Sequence, residues 1–271
     1  MKNHPVKTIY YGIDSQQFAH LYKPKHAKNL PVVVVIHGGY WKDNHSLDSY
    51  ATSAIVDYLQ ECHVAIWNLE YRRMDAVGEN IKARWPASFK DVADGLDHLQ
   101  TIADEESLDL NRVLLIGHSA GGHLASWAAS RDSIAQDSEL YDENPLTIQR
   151  VISIAAIVNL FAANEVDQPE QVSRLMGGCA NTKRARYLAC DPSSLSHEGI
   201  NLTLIHGVQD TCVSIKQAHY YCDNTKGKVN KIILHEADHF SMLPHDGHWR
   251  LEEWQQIKEI IRQNIGALDS A

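Results

Sequence analysis

Ser119 is the residue around which chemistry can be built. It sits in Gly117-His118-Ser119-Ala120-Gly121, after the apolar run Val113-Leu114-Leu115-Ile116 and before a helical pattern with Leu124, Trp127 and Ala128 on one face. In such a strand–turn–helix context, Gly-x-Ser-x-Gly holds its serine in a strained conformation and lifts the Oγ clear of a sheet. Gly117 and Gly121 are then small because neighbouring chain passes close to the turn. The Ala120 amide falls at a helix N-terminus, where an unpaired N–H and the dipole favour an oxyanion. The chemistry is nucleophilic attack on a carbonyl, which needs a base, an acid to orient that base, and further oxyanion donors.

Those partners lie at the ends of other strand-like runs. Pro31-Val32-Val33-Val34-Val35-Ile36 has no alternation, as suits a strand buried on both faces of a parallel sheet, and it ends in His37-Gly38-Gly39-Tyr40-Trp41. Two glycines there let backbone N–H groups turn into a cleft, so Gly39 and Tyr40 are the expected oxyanion donors beside Ala120. The run Leu202-Thr203-Leu204-Ile205-His206-Gly207 leads to Asp210, the expected acid. The last run, Lys231-Ile232-Ile233-Leu234-His235, leads to Asp238-His239-Phe240, with His239 the expected base. In these roles His239 removes the Ser119 proton, and Asp210 orients His239 and stabilises its cation. Asp238 is a rival acid, but adjacent residues rarely place a carboxylate on the far imidazole nitrogen. Trp41 and Phe240, with Tyr40, are expected to wall the substrate site.

The remaining histidines have structural readings. His37 is expected to hydrogen-bond its own loop, and His123 to be packed within a helix. His235, His239, His245 and His248 with Asp238 and Asp246 invite a metal reading, but there is no His-Glu-x-x-His helix to support it. No metal and no cofactor are expected. Glu70, beside Arg72 and Arg73, reads as a structural ion pair bracing a loop.

These loops need a scaffold. The chain has 271 residues, 44% hydrophobic and 22% charged, with a net charge of −9, which weighs against nucleic acid as a partner. Five scattered cysteines without a Cys-x-x-Cys pair suggest a reduced, cytoplasmic protein, and neither a membrane span nor a signal peptide is expected. Residues 6–11 and 18–22 read as an antiparallel edge hairpin. A helix is expected over 46–60, another from Pro86 with Val92, Leu96, Leu99 and Ile102 on one face, and a closing helix with Leu251, Trp254, Ile257 and Ile261. Residues 74–85 are expected to shape one wall of a cleft. Residues 159–198 lack a strand-like run and read as a short helical insertion, a partial lid on a single domain spanning 1–271. Phe161, Leu175 and Met176 within it are candidates either to face the pocket or simply to pack.

The residues from Pro31 onward resemble the α/β-hydrolase superfamily, within it the kynurenine formamidase (arylformamidase)-like and hormone-sensitive-lipase-like esterases. His-Gly-Gly-Tyr-Trp at 37–41, Gly-His-Ser-Ala-Gly-Gly-His at 117–123 and Asp-His-Phe at 238–240 carry the likeness, with Tyr71-Arg72 and Trp85-Pro86 as further landmarks. The resemblance implies a mostly parallel sheet with helices on both faces and a cofactor-free serine hydrolase. It would act on a small acyl ester or an N-formyl aryl amide, with the formamide favoured by the 37–41 motif. The alternatives are a short-chain carboxylesterase and a non-catalytic binding protein on the same fold. The partner expected is thus a small molecule, and a homodimer is left open. The departures at Arg73-Met74, over 75–84 and over 159–198 lie where the substrate pocket would be built.

Overall fold

The structure, a computed structural model, describes residues 6–75 and 83–270. Its strands are β1 (Val6–Tyr10), β2 (Phe18–Tyr22), β3 (Leu30–Ile36), β4 (Ala65–Leu69), β5 (Leu108–His118), β6 (Arg150–Ile154), β7 (Asn201–Gly207) and β8 (Lys228–Leu234). They form one sheet in the order β1-β2-β4-β3-β5-β6-β7-β8. The β1–β2 hairpin stands antiparallel at one edge, and β2 also runs antiparallel to β4. From β4 through β3 to β8 every pairing is parallel. The loops after β3, β5, β7 and β8 therefore leave the sheet at the same end, where a parallel sheet gathers its functional residues.

Strand β3 shows why its sequence does not alternate. Val32, Val34 and Ile36 enter one apolar cluster, with α2 (Ala87–Glu106), α3 (Ala120–Ala129), α4 (Pro169–Met176), α5 (Arg184–Cys190) and α6 (Lys216–Asn224). Val33 and Val35 enter the other, with α1 (Ser53–Leu59) and α7 (Leu251–Gly266). Helices cover both faces, so every residue of the strand is buried.

The expected helix over 46–60 is helical only from Ser53 to Leu59; residues 46–52 form successive turns, closed by Tyr50 N–H to Ser46 O and Ser53 N–H to Tyr50 O. The segment 159–198 holds α4 and α5, and Val172, Leu175, Met176 and Tyr187 sink into the same cluster as the sheet. Leu175 and Met176 are thus packing residues, and Phe161 lies half-buried between the Tyr187 ring and the Arg184 guanidinium. Of the wall expected from 74–85, residues 76–82 lie outside the described residues, while Met74 is buried and hydrogen-bonded to Trp41 and Asp43. No helix among the described residues is long and apolar enough to cross a membrane.

Burial accounts for part of the large histidine content. His118, His123 and His197 are almost wholly buried, and each has a ring nitrogen facing a backbone carbonyl, of His239, Cys190 and Leu195 respectively. Burial lowers His118 to about 3 and His123 and His197 to about 4, with repulsion from His239 adding to the effect at His118. These rings stay neutral in the fold, whereas in the unfolded chain they take up protons as pH falls below the usual imidazole value. The unfolded state binds more protons in that window, so stability falls with falling pH. Between pH 7 and 5 the loss should approach about 2 kcal/mol per histidine. Urea midpoints measured across that range should fall steadily; a flat profile would contradict neutral burial.

Candidate active site

Ser119 has φ 56° and ψ −123°, a strained conformation for a residue with a side chain. Its amide donates to Ile154 O at 2.8 Å, and its carbonyl accepts the His123 N–H that opens α3. Nothing larger than glycine fits on either side. A Cβ on Gly121 would fall on the Ile36 carbonyl oxygen, and one on Gly117 would fall on the Gly121 carbonyl oxygen. This close approach sets the start of α3, and with it the Ala120 amide, beside the turn that follows β3.

That turn carries positive φ at three successive residues, Gly39 (103°), Tyr40 (51°) and Trp41 (57°). Successive backbone amides so arranged form a concave donor group suited to an anion. Only the glycine adopts this region freely, and the two aromatic residues cost on the order of 1–3 kcal/mol each. Their side chains hold them there. The Tyr40 hydroxyl donates to the Asp167 carboxylate and lies 2.9 Å from Cys212 O. Trp41 is fully buried, edge-on to His123 at 5.4 Å, and its carbonyl accepts the Met74 N–H at 2.8 Å. The expectation that Trp41 walls the substrate site is therefore corrected: positive φ turns the ring inward, where it anchors the strained turn. Phe240 and Tyr40 do line the cleft.

Beneath the turn, the Glu70 carboxylate accepts the Leu47 and Tyr71 amides at 3.1 and 3.0 Å and lies 2.8 Å from His37 Nε2 and 3.1 Å from Arg73 Nε. Burial alone would raise the Glu70 carboxyl, but His37, Arg73 and the Tyr71 amide outweigh it and hold it below the usual range. His37 Nδ1 faces Gly38 O at 2.9 Å, so this histidine braces its loop. Arg72 turns away and clamps Asp91 through two nitrogens, at 2.7 and 2.6 Å.

The candidate acid and base come from the loops after β7 and β8. Asp210 Oδ2 accepts the His239 Nδ1 proton at 2.7 Å, and Oδ1 accepts the Cys212 and Val213 amides at 2.9 and 2.8 Å. Burial would push the Asp210 carboxyl up; hydrogen bonds to His206 and His239 and the attraction of His239 overcome it and leave it well below the carboxylate range. With Nδ1 protonated, Nε2 of neutral His239 carries the lone pair. Asp238 does not take this place: its Oδ1 caps the Phe240 and Ser241 amides, and its Oδ2 meets His248 Nε2 at 3.0 Å.

His245 pairs with Asp246, apart from the Asp238–His248 pair. Among the described residues, the potential metal donors that do converge are Asp210, Cys212 and His239, within 4.8 Å of one another, and two of these already bond to each other. Burial, then Asp167 and Asp210, push the Cys212 thiol up to about 11, so it stays protonated at neutral pH and does not compete as a nucleophile.

Ser119, His239, Gly39, Tyr40 and Phe240 line one cleft of about 160 Å³, together with Tyr50, Cys212 and a polar mouth of Lys42, Asn44, His45, Asp167 and Gln168. A larger cavity of about 380 Å³, lined by Arg150, Lys228 and Asn264, lies where β6, β7 and β8 begin, at the opposite end of the sheet from these residues. Sequence reasoning did not find Lys42, Tyr50, Asp167 or Cys212 as site residues. Tyr50 sat within an apolar helix pattern, and Asp167 within a segment without periodicity.

The sequence profile of the BD-FAE family matches residues 20–224. The chain is similar to the probable carboxylic ester hydrolase LipM of Mycobacterium tuberculosis, 21% identical over 201 residues that cover 72% of this chain and 45% of that protein. It therefore spans under half the length of this curated relative. Among solved structures it is similar to a truncated form of a carbohydrate esterase from gut microbiota, with a TM-score of 0.75, 18% identity and 97% of each chain covered. It is also similar to esterase B from Lactobacillus Rhamnosis (HN001), with a TM-score of 0.76, 20% identity, and 99% of this chain and 87% of that one covered. At such identities the structural likeness shows the fold, which is that of the α/β-hydrolases.

The buried Glu70 cluster makes a prediction of its own. Glu70→Gln leaves Arg73 and His37 facing a neutral amide, which should cost about 3 kcal/mol and lower the melting temperature by about 6 °C or more. Calorimetry checks this, and a change below about 1 °C would show that the cluster does not brace the turn.

Proposed function

Because the chain belongs to the BD-FAE family, within the α/β-hydrolase esterase superfamily, we propose that it is a serine hydrolase cleaving small acyl esters through an acyl-Ser119 intermediate. The observation that carries this is the 2.7 Å bond between Asp210 Oδ2 and His239 Nδ1 in a cleft that Ser119 also lines. In this reading His239 Nε2 takes the Ser119 proton as Oγ attacks the ester carbonyl. Asp210 stabilises the imidazolium, and the Gly39, Tyr40 and Ala120 amides receive the negative charge on the carbonyl oxygen. The imidazolium then protonates the departing alkoxide. Water, deprotonated by His239, attacks the acyl-enzyme and returns Ser119 as the hydroxyl.

Size and polarity narrow the substrate. A cleft of about 160 Å³ is small beside ordinary ligand pockets and suits a short acyl group. The mouth, with Lys42, Asn44, His45, Asp167 and Gln168, favours a polar leaving group. An N-formyl aryl amide fits less well, since Trp41 is withdrawn into the core and the Tyr40 hydroxyl is tied to Asp167.

The test is turnover of p-nitrophenyl acetate, p-nitrophenyl decanoate and N-formylkynurenine by wild type and Ser119→Ala. The acetyl ester should be preferred over the other two, and Ser119→Ala should lose about 10⁴-fold or more in kcat. A variant as active as wild type would remove Ser119 from the mechanism. Formamide turnover exceeding that of the acetyl ester would restore the arylformamidase reading. Substrate binding without turnover in wild type would favour a binding protein on this fold. Asp210→Asn should bind the acetyl ester normally while losing about 10³-fold or more in kcat; retention of full kcat would dismiss Asp210 as the acid.

A further inference from the structure

Tyr50 lies in the turns between β3 and α1 and lines the cleft, yet it is only 2% exposed. Its hydroxyl oxygen stands 2.9 Å from His118 Nδ1, and His118 Nε2 stands 2.8 Å from the carbonyl oxygen of His239. A carbonyl can only accept, so Nε2 carries the proton. The His118 ring is neutral, as its burial and the nearby His239 require, which leaves Nδ1 bare. The Tyr50 O–H must therefore donate to Nδ1. Ser119 and Gly39 line the same cleft as this phenol. Gly38 makes room for it, since a Cβ there would come within 2.5 Å of this oxygen.

We propose that Tyr50 is a positioning residue of the hydrolytic site, the first donor in a one-directional chain that runs from its phenol in the cleft wall through His118 to the backbone of His239. The inference rests on Ser119 and His239 acting as proposed above. Its physical content is preorganisation. The proton donated by Tyr50 fixes the His118 tautomer, so that Nε2 remains the donor to the His239 carbonyl. The His118–His239 bond then fastens the loop of the base to the strand that carries the nucleophile. Phenylalanine would fill the same space and remove the first link, leaving a buried acceptor on His118 unpaired. The contribution belongs to the chemical step, not to holding the substrate.

Tyr50→Phe should lower kcat for p-nitrophenyl acetate by about tenfold or more, with KM within about twofold of wild type. The rate at which a small fluorophosphonate labels Ser119 should fall in parallel, because labelling reads the nucleophile without the substrate's own contacts. The melting temperature should stay within a few degrees. His118→Asn tests the same chain from its other end and carries the test if Tyr50→Phe does not fold. Asparagine keeps an acceptor near the phenol but loses the donor to the His239 carbonyl, and the same parallel loss is expected. Normal labelling of wild type, with kcat and labelling of the folded variants within twofold of it, would overturn the role of Tyr50 and leave Ser119 untouched. Failure of wild type to be labelled, or labelling of Ser119→Ala at the wild-type rate, would sink the assignment of Ser119 and this inference with it.

Discussion

The site depends on one close approach, that of the helix start after β5 to the end of β3. These strands are parallel neighbours with Ile36 opposite Gly117, so their following loops emerge side by side. Gly121 rests against the Ile36 and His37 carbonyls, and Gly117 against Gly121, with no room for a Cβ at either. This places Ser119 and the turn of Gly39 and Tyr40 within one cleft. Two alanine side chains would be enough to part them. The constraint is steric and local, which is why it is visible as small residues at fixed spacing.

Around this contact the protein holds conformations that would otherwise relax. Tyr40, Trp41 and Ser119 all sit at positive φ, and each is fixed by something outside its own turn: Asp167, the core around His123, and the Ile154 carbonyl. Strained backbone persists where the surroundings over-determine it, and such positions cluster at functional sites. The charges follow the same logic. Glu70 and Asp210 are buried carboxylates, and each is surrounded by enough donors to remain ionised against the cost of burial.

Much of this was legible in the sequence because it rests on period and punctuation. Unbroken β-branched runs mark strands covered on both faces, and the small or acidic residues just past them mark the functional edge. Ser119, Asp210 and His239 stand out in the sequence for that reason, and the fold brings Asp210 against His239 in a cleft that Ser119 also lines. The direction of Trp41 could not, because at positive φ the usual alternation of side chains fails, and a ring that reads as cleft-facing turns into the core. Residues 46–50 have helical spacing but form hydrogen-bonded turns short of the helix, with the Leu47 amide held by Glu70 at the end of β4. Tyr50 and Asp167 have no motif at all. Their importance comes from partners at His118 and Tyr40, 68 and 127 residues away in the chain. Helix α6 also escaped notice, its buried side consisting of just Gln217, Ala218 and Tyr221.

The polar mouth and the loop that carries Asp210 are joined through their backbones. Val166 bridges Val213, the Asp167 amide donates to Cys212 O, and the Ser214 amide donates to Glu165 O. The Cys212 and Val213 amides on the other side of that same loop are the ones that hold Asp210 Oδ1. Insertion or deletion near 163–168 at the mouth would therefore also reshape the seat of the Asp210 carboxylate. In such an architecture, the shape of the cleft mouth and the placement of the His239 partner are not separately adjustable traits. Lineages, or designers, that change one would have to move through side chains at the mouth and leave the length of the chain there alone.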